Sequence, residues 1–364
     1  MKRRVCHVTC VHSPFDPRIF HKECKSLSSK YEVYLIAPNI EDQIVDHIHI
    51  CGVSLPQSRL KRFQSQNSIY QRMLEIDAEL YHFHDPELLP LGVKIKKRGK
   101  SVIFDSHEDV PLDILCRESI PHPLRKLLAK AYAIYEKRAF KKFDALISVT
   151  PTIVNRLKGI NKNTVQVTNY PILEDSKFER KWNPCISFVG GIVDSWSHDT
   201  IIKSLEDIEV TYLLAGKDYS GYLTALKNLP AWSKVDFRGF IKHQEALELI
   251  SESTIGMALY NNDAYFYGNY GSLGNTKLFE YMMVGIPVIA SNYVLWKEII
   301  DKYKCGICVN PHNTKEIKDA INYLLNHREE AKRMGDNGRY AIEKEYNWDT
   351  QATILLDLYK NLLG

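Results

Sequence analysis

Gly274-Asn275-Thr276-Lys277-Leu278-Phe279-Glu280-Tyr281-Met282-Met283-Val284-Gly285-Ile286-Pro287-Val288-Ile289-Ala290-Ser291 is the stretch whose reading decides the fold. It reads as loop, helix, glycine stop and buried strand. Asn275 or Thr276 can cap the helix, and Gly285 supplies its C-terminal turn. Lys277 and Glu280 stand three apart and share a helical face. On a solvated helix they would form an ordinary surface ion pair. This helix is largely apolar, so the face that carries them borders a cleft or a core, and a carboxylate there needs partners. Ribose hydroxyls would satisfy it, because an ionised carboxylate only accepts.

Outward from this unit the same alternation of short apolar runs and amphipathic stretches fills the chain, the pattern of parallel sheets with crossover helices. Strands are expected at Val5 to Val11, Tyr31 to Ala37, Leu80 to Phe83, Ser101 to Phe104, Ala145 to Val149 and Thr164 to Val167. After a polar, Pro-bounded stretch the alternation restarts at Ile186 to Val189, Thr211 to Ala215, Val235 to Phe237, Gly256 to Leu259, Pro287 to Ala290 and Ile307 to Val309. The expected class is α/β: two Rossmann-like domains facing across a cleft. Their bounds are 1–170, a linker at 171–184 containing Glu174, Asp175 and Lys177, a second domain at 185–345, and a last helix in 346–364 that packs back on the first domain. A chain of 364 residues with 45% hydrophobic content suits two such cores. Sites in these folds lie at the carboxyl ends of strands, where helix N-termini and turns offer N–H groups to anions.

Forty-eight basic against 44 acidic residues leave a net charge of +4, too small to argue for nucleic acid as the partner. The eight cysteines are scattered among apolar neighbours, as reduced thiols are. Cys305 and Cys308 form one CxxC that reads as a turn entering a strand, since nothing nearby completes a tetrahedral metal set. The basic start Met1-Lys2-Arg3-Arg4 is followed by an apolar run broken by His7, Thr9 and His12, without a cleavage pattern, and no run reaches the about 18 apolar residues of a membrane span. The expectation is a cytoplasmic protein.

Further segments end strands with polar or glycine residues. His12 to Lys22 carries Asp16-Pro17-Arg18 ahead of a helix. His82-Phe83-His84-Asp85-Pro86-Glu87-Leu88 and Phe104-Asp105-Ser106-His107-Glu108-Asp109 follow, then Ser148-Val149-Thr150, Val167-Thr168-Asn169-Tyr170-Pro171 and Phe188-Val189-Gly190-Gly191. With the opening stretch, this ordered series resembles the family 4 retaining glycosyltransferases of the GT-B fold, of the type that builds bacterial cell-surface polysaccharides. The resemblance implies that Glu280 accepts hydrogen bonds from the nucleotide's ribose. It also implies that Ser272, Leu273, Gly274, Asn275, Thr276 and Leu278 line the donor, and that His107 lies near the donor sugar. A second glutamate usual in that family, eight positions before Glu280, is replaced here by Ser272. Gly190-Gly191, and Gly216 at the end of another strand, let backbone approach a diphosphate. The arginine and lysine common after those glycines are missing from Ile192-Val193-Asp194-Ser195-Trp196-Ser197-His198. Lys277 is therefore the first choice for neutralising the leaving diphosphate, with Arg238 and Lys217 behind it.

Asp105, Glu108 and Asp109 crowd His107 and are expected to raise its proton affinity. Asp16, Arg18, His84 and Asp85 are candidates for orienting the acceptor or completing the cleft. His82 and His84 alternate on a strand and face one way, but the sequence supplies no neighbouring carboxylate or thiol set to make a metal site, and the resemblance implies transfer without a metal or other cofactor. Tyr260, Tyr265, Phe266, Tyr267 and Tyr270 crowd the loop before the nucleotide motif and can stack on a sugar or base or simply pack the loop. Residues 123–143 combine Arg125, Lys126, Lys130, Lys137, Arg138, Lys141 and Lys142 with Leu124, Leu127, Leu128, Ala131 and Ile134, a basic amphipathic helix able to rest on the anionic inner face of a membrane. The partners expected are a nucleoside diphosphate sugar as co-substrate and a glycan or lipid-linked acceptor. A catalytically silent subunit of the same fold and an epimerase acting on a nucleotide sugar are the competing readings. A dehydrogenase is disfavoured, because no Gly-x-Gly-x-x-Gly follows the first strand.

Overall fold

In the computed structural model the quoted stretch forms a helix at Lys277–Val284, a left-handed turn at Gly285 with φ of 87°, and a strand at Val288–Ser291. The structure describes residues 2–56, 66–173, 178–261 and 267–364, so Glu174, Asp175 and Lys177 of the expected linker, and Tyr265 and Phe266 of the aromatic loop, lie outside the described residues.

The chain divides into two compact units, Met1–Asn169 with Trp348–Gly364, and Tyr170–Asn347. The first unit holds β1 (Arg4–Val8), β2 (Glu32–Pro38), β3 (Gln43–Val45), β4 (Ile48–Val53), β5 (Leu80–Phe83), β6 (Ser101–Ser106), β7 (Ala145–Ser148) and β8 (Thr164–Gln166). They form one sheet in the order β3-β4-β2-β1-β5-β6-β7-β8, parallel except where β3 turns back on β4. Its apolar residues are buried because helices cover it, as parallel sheets require. Three of these helices matter below: α1 (Lys25–Ser28), entered through a π-helical turn at Ile19–Cys24; α2 (His122–Phe140); and α4 (Trp348–Leu363). Leu355, Leu358 and Tyr359 of α4 join Ile19, Leu27 and Val33 in one buried cluster.

The second unit holds β9 (Asn183–Val189), β10 (Thr211–Ala215), β11 (Val235–Phe237), β12 (Ser253–Ala258), β13 (Val288–Ser291) and β14 (Gly306–Val309), ordered β11-β10-β9-β12-β13-β14. All the pairings are parallel. Helix α3 (Lys277–Val284) lies between β12 and β13 and buries Leu278, Phe279, Tyr281 and Met282.

Several boundaries differ from the sequence reading. The first strand stops at Val8, not Val11, because the N–H groups of Cys10 and Val11 turn away to the Asp85 carboxylate. Strand β9 begins at Asn183, inside the stretch read as linker. The hairpin of β3 and β4 was not foreseen. Its turn residues Asp46 and His47 take φ of 52° and 64°, a conformation usually signalled by Asn-Gly or Asp-Gly, and β3 carries little burial to betray it.

Candidate active site

Gly190 follows β9 as Gly216 follows β10, and the parallel register brings them together. A Cβ on Gly216, whose φ is 150°, would fall 1.6 Å from the Gly190 carbonyl oxygen, so only glycine permits this approach. A Cβ on Gly190 would meet the Phe188 ring at 3.0 Å and Cε of Lys277 at 3.1 Å. The first turn of α3 therefore lies against the glycine end of β9. Asn275 Oδ1 accepts from the Lys277 N–H at 3.1 Å, so Asn275 rather than Thr276 caps the turn. The Thr276 hydroxyl instead donates to Glu280 Oε1 at 2.8 Å, and Lys277 Nζ lies 2.7 Å from Glu280 Oε2. Both charged side chains are less than one-fifth exposed. A carboxylate and an ammonium thus stand at a helix N-terminus beside a backbone free of Cβ atoms, which suits a ligand carrying both hydroxyls and phosphates.

Ser272 shapes the preceding loop: its hydroxyl accepts from the Gly274 N–H at 3.1 Å and its carbonyl from Trp296 Nε1 at 2.8 Å. Leu273 and Leu278 are core residues, 9% and 0% exposed, so any part they play toward a ligand is through backbone. Arg238 is held in a two-pronged ion pair with Asp236 at 2.6 and 2.8 Å and is half exposed. Lys217 lies over the Tyr219 ring, 5.3 Å from its centre.

In the first unit the ends of β1, β5 and β6 enclose a cavity of about 370 Å³ lined by His12, His84, Asp85, Asp105, His107 and Glu108, among others. Asp85 is its clamp. One carboxylate oxygen accepts from the Thr9 hydroxyl at 2.7 Å and the Cys10 N–H at 2.6 Å, and the other lies 3.3 Å from His12 Nε2. Asp16 accepts from the N–H groups of Arg18 and Ile19 and lies 3.4 Å from His12 Nδ1. Burial opposes the charge on His12, but Asp16 and Asp85 outweigh it and hold its pKa above the ordinary value. Burial likewise works against Asp16, yet the bond from His12 and the backbone donors bring its pKa down to about 2. Arg18 turns inward, 5% exposed, with Nε and Nη2 both 2.8 Å from Asp105 Oδ2 and Nε 3.1 Å from Glu23 Oε1. His107 Nε2 stands 3.2 Å from Asp105 Oδ2 and 3.3 Å from His84 Nδ1. Of its acidic neighbours, Asp109 turns away to cap the next helix and to meet Arg156 at 3.0 Å.

His82 and His84 do face one way, with ring centres 4.6 Å apart. The sequence reading left them without a carboxylate to complete a cluster; that is corrected here. Parallel pairing sets His7 beside His82, and the π-helical turn delivers Glu23 to the same point. Neither His7 nor Glu23 was singled out, because pairing between distant strands carries no local signal. His12, held between Asp16 and Asp85 at the cavity, was also missed, although four residues before an aspartate in a turn is a readable position for it.

Comparisons with known proteins fall on the same two halves. The family described as Glycosyltransferase Family 4 matches residues 18–169, and Glycosyl transferases group 1 matches residues 172–341. An uncharacterised glycosyltransferase of Methanocaldococcus jannaschii is 24% identical over 93% of this chain and 92% of its own length. A phosphatidyl-myo-inositol mannosyltransferase of Mycobacterium leprae is 19% identical over 91% of this chain and 88% of its own. Among solved structures, the sucrose-phosphate synthase of Thermosynechococcus elongatus superposes with a TM-score of 0.78 at 16% identity, covering 99% of each chain. With two parallel-sheet units, each falling under a glycosyltransferase family, the chain is a glycosyltransferase of the GT-B fold.

Proposed function

We propose that the enzyme moves a sugar from a nucleoside diphosphate sugar to a glycan or lipid-linked acceptor with retention of anomeric configuration, in the synthesis of surface polysaccharide. The observation that carries this reading is the convergence of Lys277, Glu280 and the Cβ-free backbone of Gly190 and Gly216 at one helix N-terminus. Glu280 takes the ribose hydroxyls. The leaving diphosphate lies along Gly190 and Gly191, and its charge is met by Lys277 and by the N–H groups opening α3, groups already in place before charge develops. Arg238, paired with Asp236, is the weaker cation. Donor departure needs no metal or other cofactor in this scheme. In the first unit, His107 and the carboxylates around the 370 Å³ cavity bind sugar hydroxyls.

In the transfer step the bond from the anomeric carbon to the diphosphate oxygen breaks, the acceptor oxygen bonds to that carbon on the same face, and the acceptor's proton passes to the departing phosphate oxygen. No side chain need act as nucleophile. Helix α2 supports a membrane-bound acceptor: Leu124, Leu127, Leu128 and Ile134 are 49, 64, 46 and 46% exposed, with Lys126, Lys130, Lys137 and Arg138 exposed beside them. Among the described residues no helix is long and apolar enough to cross a membrane, so contact would be peripheral, on the inner, cytoplasmic face. The acceptor of the Mycobacterium relative, named as phosphatidyl-myo-inositol, fits the same picture.

The test is a panel of nucleoside diphosphate sugars, first alone and then with lipid-linked acceptors, with the anomeric configuration of the product read by NMR. Acceptor-dependent release of nucleoside diphosphate with a retained product supports the proposal. A new nucleotide sugar formed from donor alone would make the protein an epimerase. Nucleotide binding without turnover across the panel would make it the silent subunit that Ser272 and the missing Arg/Lys pair suggest.

A further inference from the structure

Beneath the cavity of the first unit, four side chains from three elements meet in the core: His7 of β1, His82 of β5, His84 just after β5, and Glu23 of the π-helical turn. All four are 2% exposed or less. One donor atom from each lies within 4.8 Å of the other three. Three of the edges are fixed: His7 Nδ1 to His84 Nε2 is 2.9 Å, His7 Nδ1 to Glu23 Oε2 is 3.7 Å, and His84 Nε2 to Glu23 Oε2 is 3.8 Å. Ligands about 2.0–2.1 Å from a tetrahedral zinc ion stand about 3.3 Å apart, so these three edges need to change by only about half an ångström, while His82 lies within 4.8 Å of the other three and closes in by up to about 1.5 Å.

The hydrogen bonding points the same way. His82 Nε2 and Glu23 Oε2 are buried without a hydrogen-bond partner among the described residues, a state that is costly for a polar atom, while Glu23 Oε1 lies 3.1 Å from Arg18 Nε. The other nitrogens are engaged. The Tyr359 hydroxyl lies 2.9 Å from His82 Nδ1 and 3.1 Å from His7 Nε2, one oxygen able to accept from both rings. His84 Nδ1 faces His107 and Asp105. Metal-bound imidazoles characteristically have such an outer partner on the second nitrogen. The single guanidinium of Arg18 lies between two buried carboxyl groups, Glu23 and Asp105, and burial together with the neighbouring Asp105 pushes the Glu23 carboxyl well above its usual range.

We propose that His7 Nδ1, His82 Nε2, His84 Nε2 and Glu23 Oε2 bind a divalent transition ion of zinc type. The ion replaces the present contact between His7 and His84. With four protein ligands and no open position the site is structural: it ties β1 and β5 to the π-helical turn that carries Arg18, and so sets the floor of the cavity holding His107. Three imidazoles and a carboxylate without thiolate suit zinc better than magnesium or calcium. The proposal stands apart from donor activation in the second unit, and its test does not read activity.

Full-length, tag-free protein grown with zinc and kept from chelators is analysed for first-row metals. About one zinc per chain is expected. Stripping with a strong chelator should lower Tm, zinc should restore it, and cobalt(II) added to stripped protein should give the intense visible bands of a four-coordinate ion. Glu23→Gln and His82→Gln should abolish those bands. Tyr359→Phe, which keeps the ring and removes only the oxygen, should weaken zinc binding by roughly 10–100-fold. If a variant fails to fold, the wild-type cobalt spectrum still decides. Metal-free wild type whose Tm ignores both chelator and zinc, or cobalt showing only the weak bands of a six-coordinate ion, would overturn the proposal and leave the cluster as a hydrogen-bonded chain of neutral imidazoles.

Discussion

Glu280 is the residue on which the donor reading turns, and its surroundings are specific enough to test. Its carboxylate already accepts from Thr276 and Lys277 across one helical turn. Glu280→Gln keeps the shape but replaces an ionised acceptor with a neutral amide. Hydrogen bonds to charged groups contribute about 1.5–3 kcal/mol, so donor affinity should fall by roughly tenfold or more by calorimetry. Unchanged affinity would put the nucleotide elsewhere. Asp16 offers a separate test by pH. Its pKa near 2 lies below the ordinary 3.8, so its stabilisation is fully present above 3.8 and is lost as pH falls through 2. The pKa of His12 is raised, so its share is present below the ordinary 6.5 and is lost as pH rises through the folded value. Asp16→Asn keeps a capping oxygen and removes the charge. It should lower the pKa of His12 seen by NMR and cost on the order of 2 kcal/mol at pH 6, a difference that shrinks toward pH 2. A His12 titration unaffected by the substitution would refute this. At this scale sequence was informative where partners are near neighbours: Lys277 and Glu280 could be read from their spacing. It was silent on the meeting of His7 with His84, 77 positions apart and 2.9 Å from each other.

Elements were more legible than residues, because an apolar run between turn signals announces a buried parallel strand whatever it pairs with. Leu80–Phe83, Thr211–Ala215 and Val235–Phe237 came out with the expected ends. The β3–β4 hairpin did not, since an exposed edge strand has no apolar period and its turn uses Asp46 and His47 in place of glycine. The glycine ends of β9 and β10 carry the next prediction. Gly216→Ala would push a methyl group into the Gly190 carbonyl, and should cost roughly 1–3 kcal/mol or more in denaturant unfolding and also displace the diphosphate backbone. A fully stable variant with normal donor binding would show that the two strand ends are not in contact. Helix α2 carries another. Its exposed leucines with basic neighbours place apolar and cationic groups on one accessible surface. Changing Lys126, Lys130, Lys137 and Arg138 to Gln should weaken binding to anionic vesicles on the order of 100-fold at low salt, with a smaller difference as salt rises. Equal binding by the variant would remove the membrane from the proposal.

The whole molecule poses the question of which unit holds which substrate, and the two units can answer separately. Each has its own sheet and its own buried clusters, so a ligand bound to one protects that unit's amides first. A nucleoside diphosphate at about 100 times its Kd adds roughly 2.7 kcal/mol to the state that binds it. Hydrogen exchange with and without the nucleotide should therefore slow most at Gly190, Gly216 and the loop from Ser272 into α3, all within Tyr170–Asn347. It should leave β1, β5 and β6 nearly unchanged. A soluble acceptor fragment should give the converse pattern, slowing exchange around Asp85, His107 and the loop after β1, where Asp85 holds the N–H groups of Cys10 and Val11. Protection by the nucleotide confined to Met1–Asn169 would reverse the assignment of donor and acceptor. That outcome would also remove the ground for assigning Lys277 to the leaving group, because its helix N-terminus belongs to the second unit. Nucleotide protection over Tyr170–Asn347 with acceptor protection over the first unit would instead account for why the chain carries two polar sites so unlike each other: one needs cations and bare backbone for phosphate, the other carboxylates and imidazoles for hydroxyls.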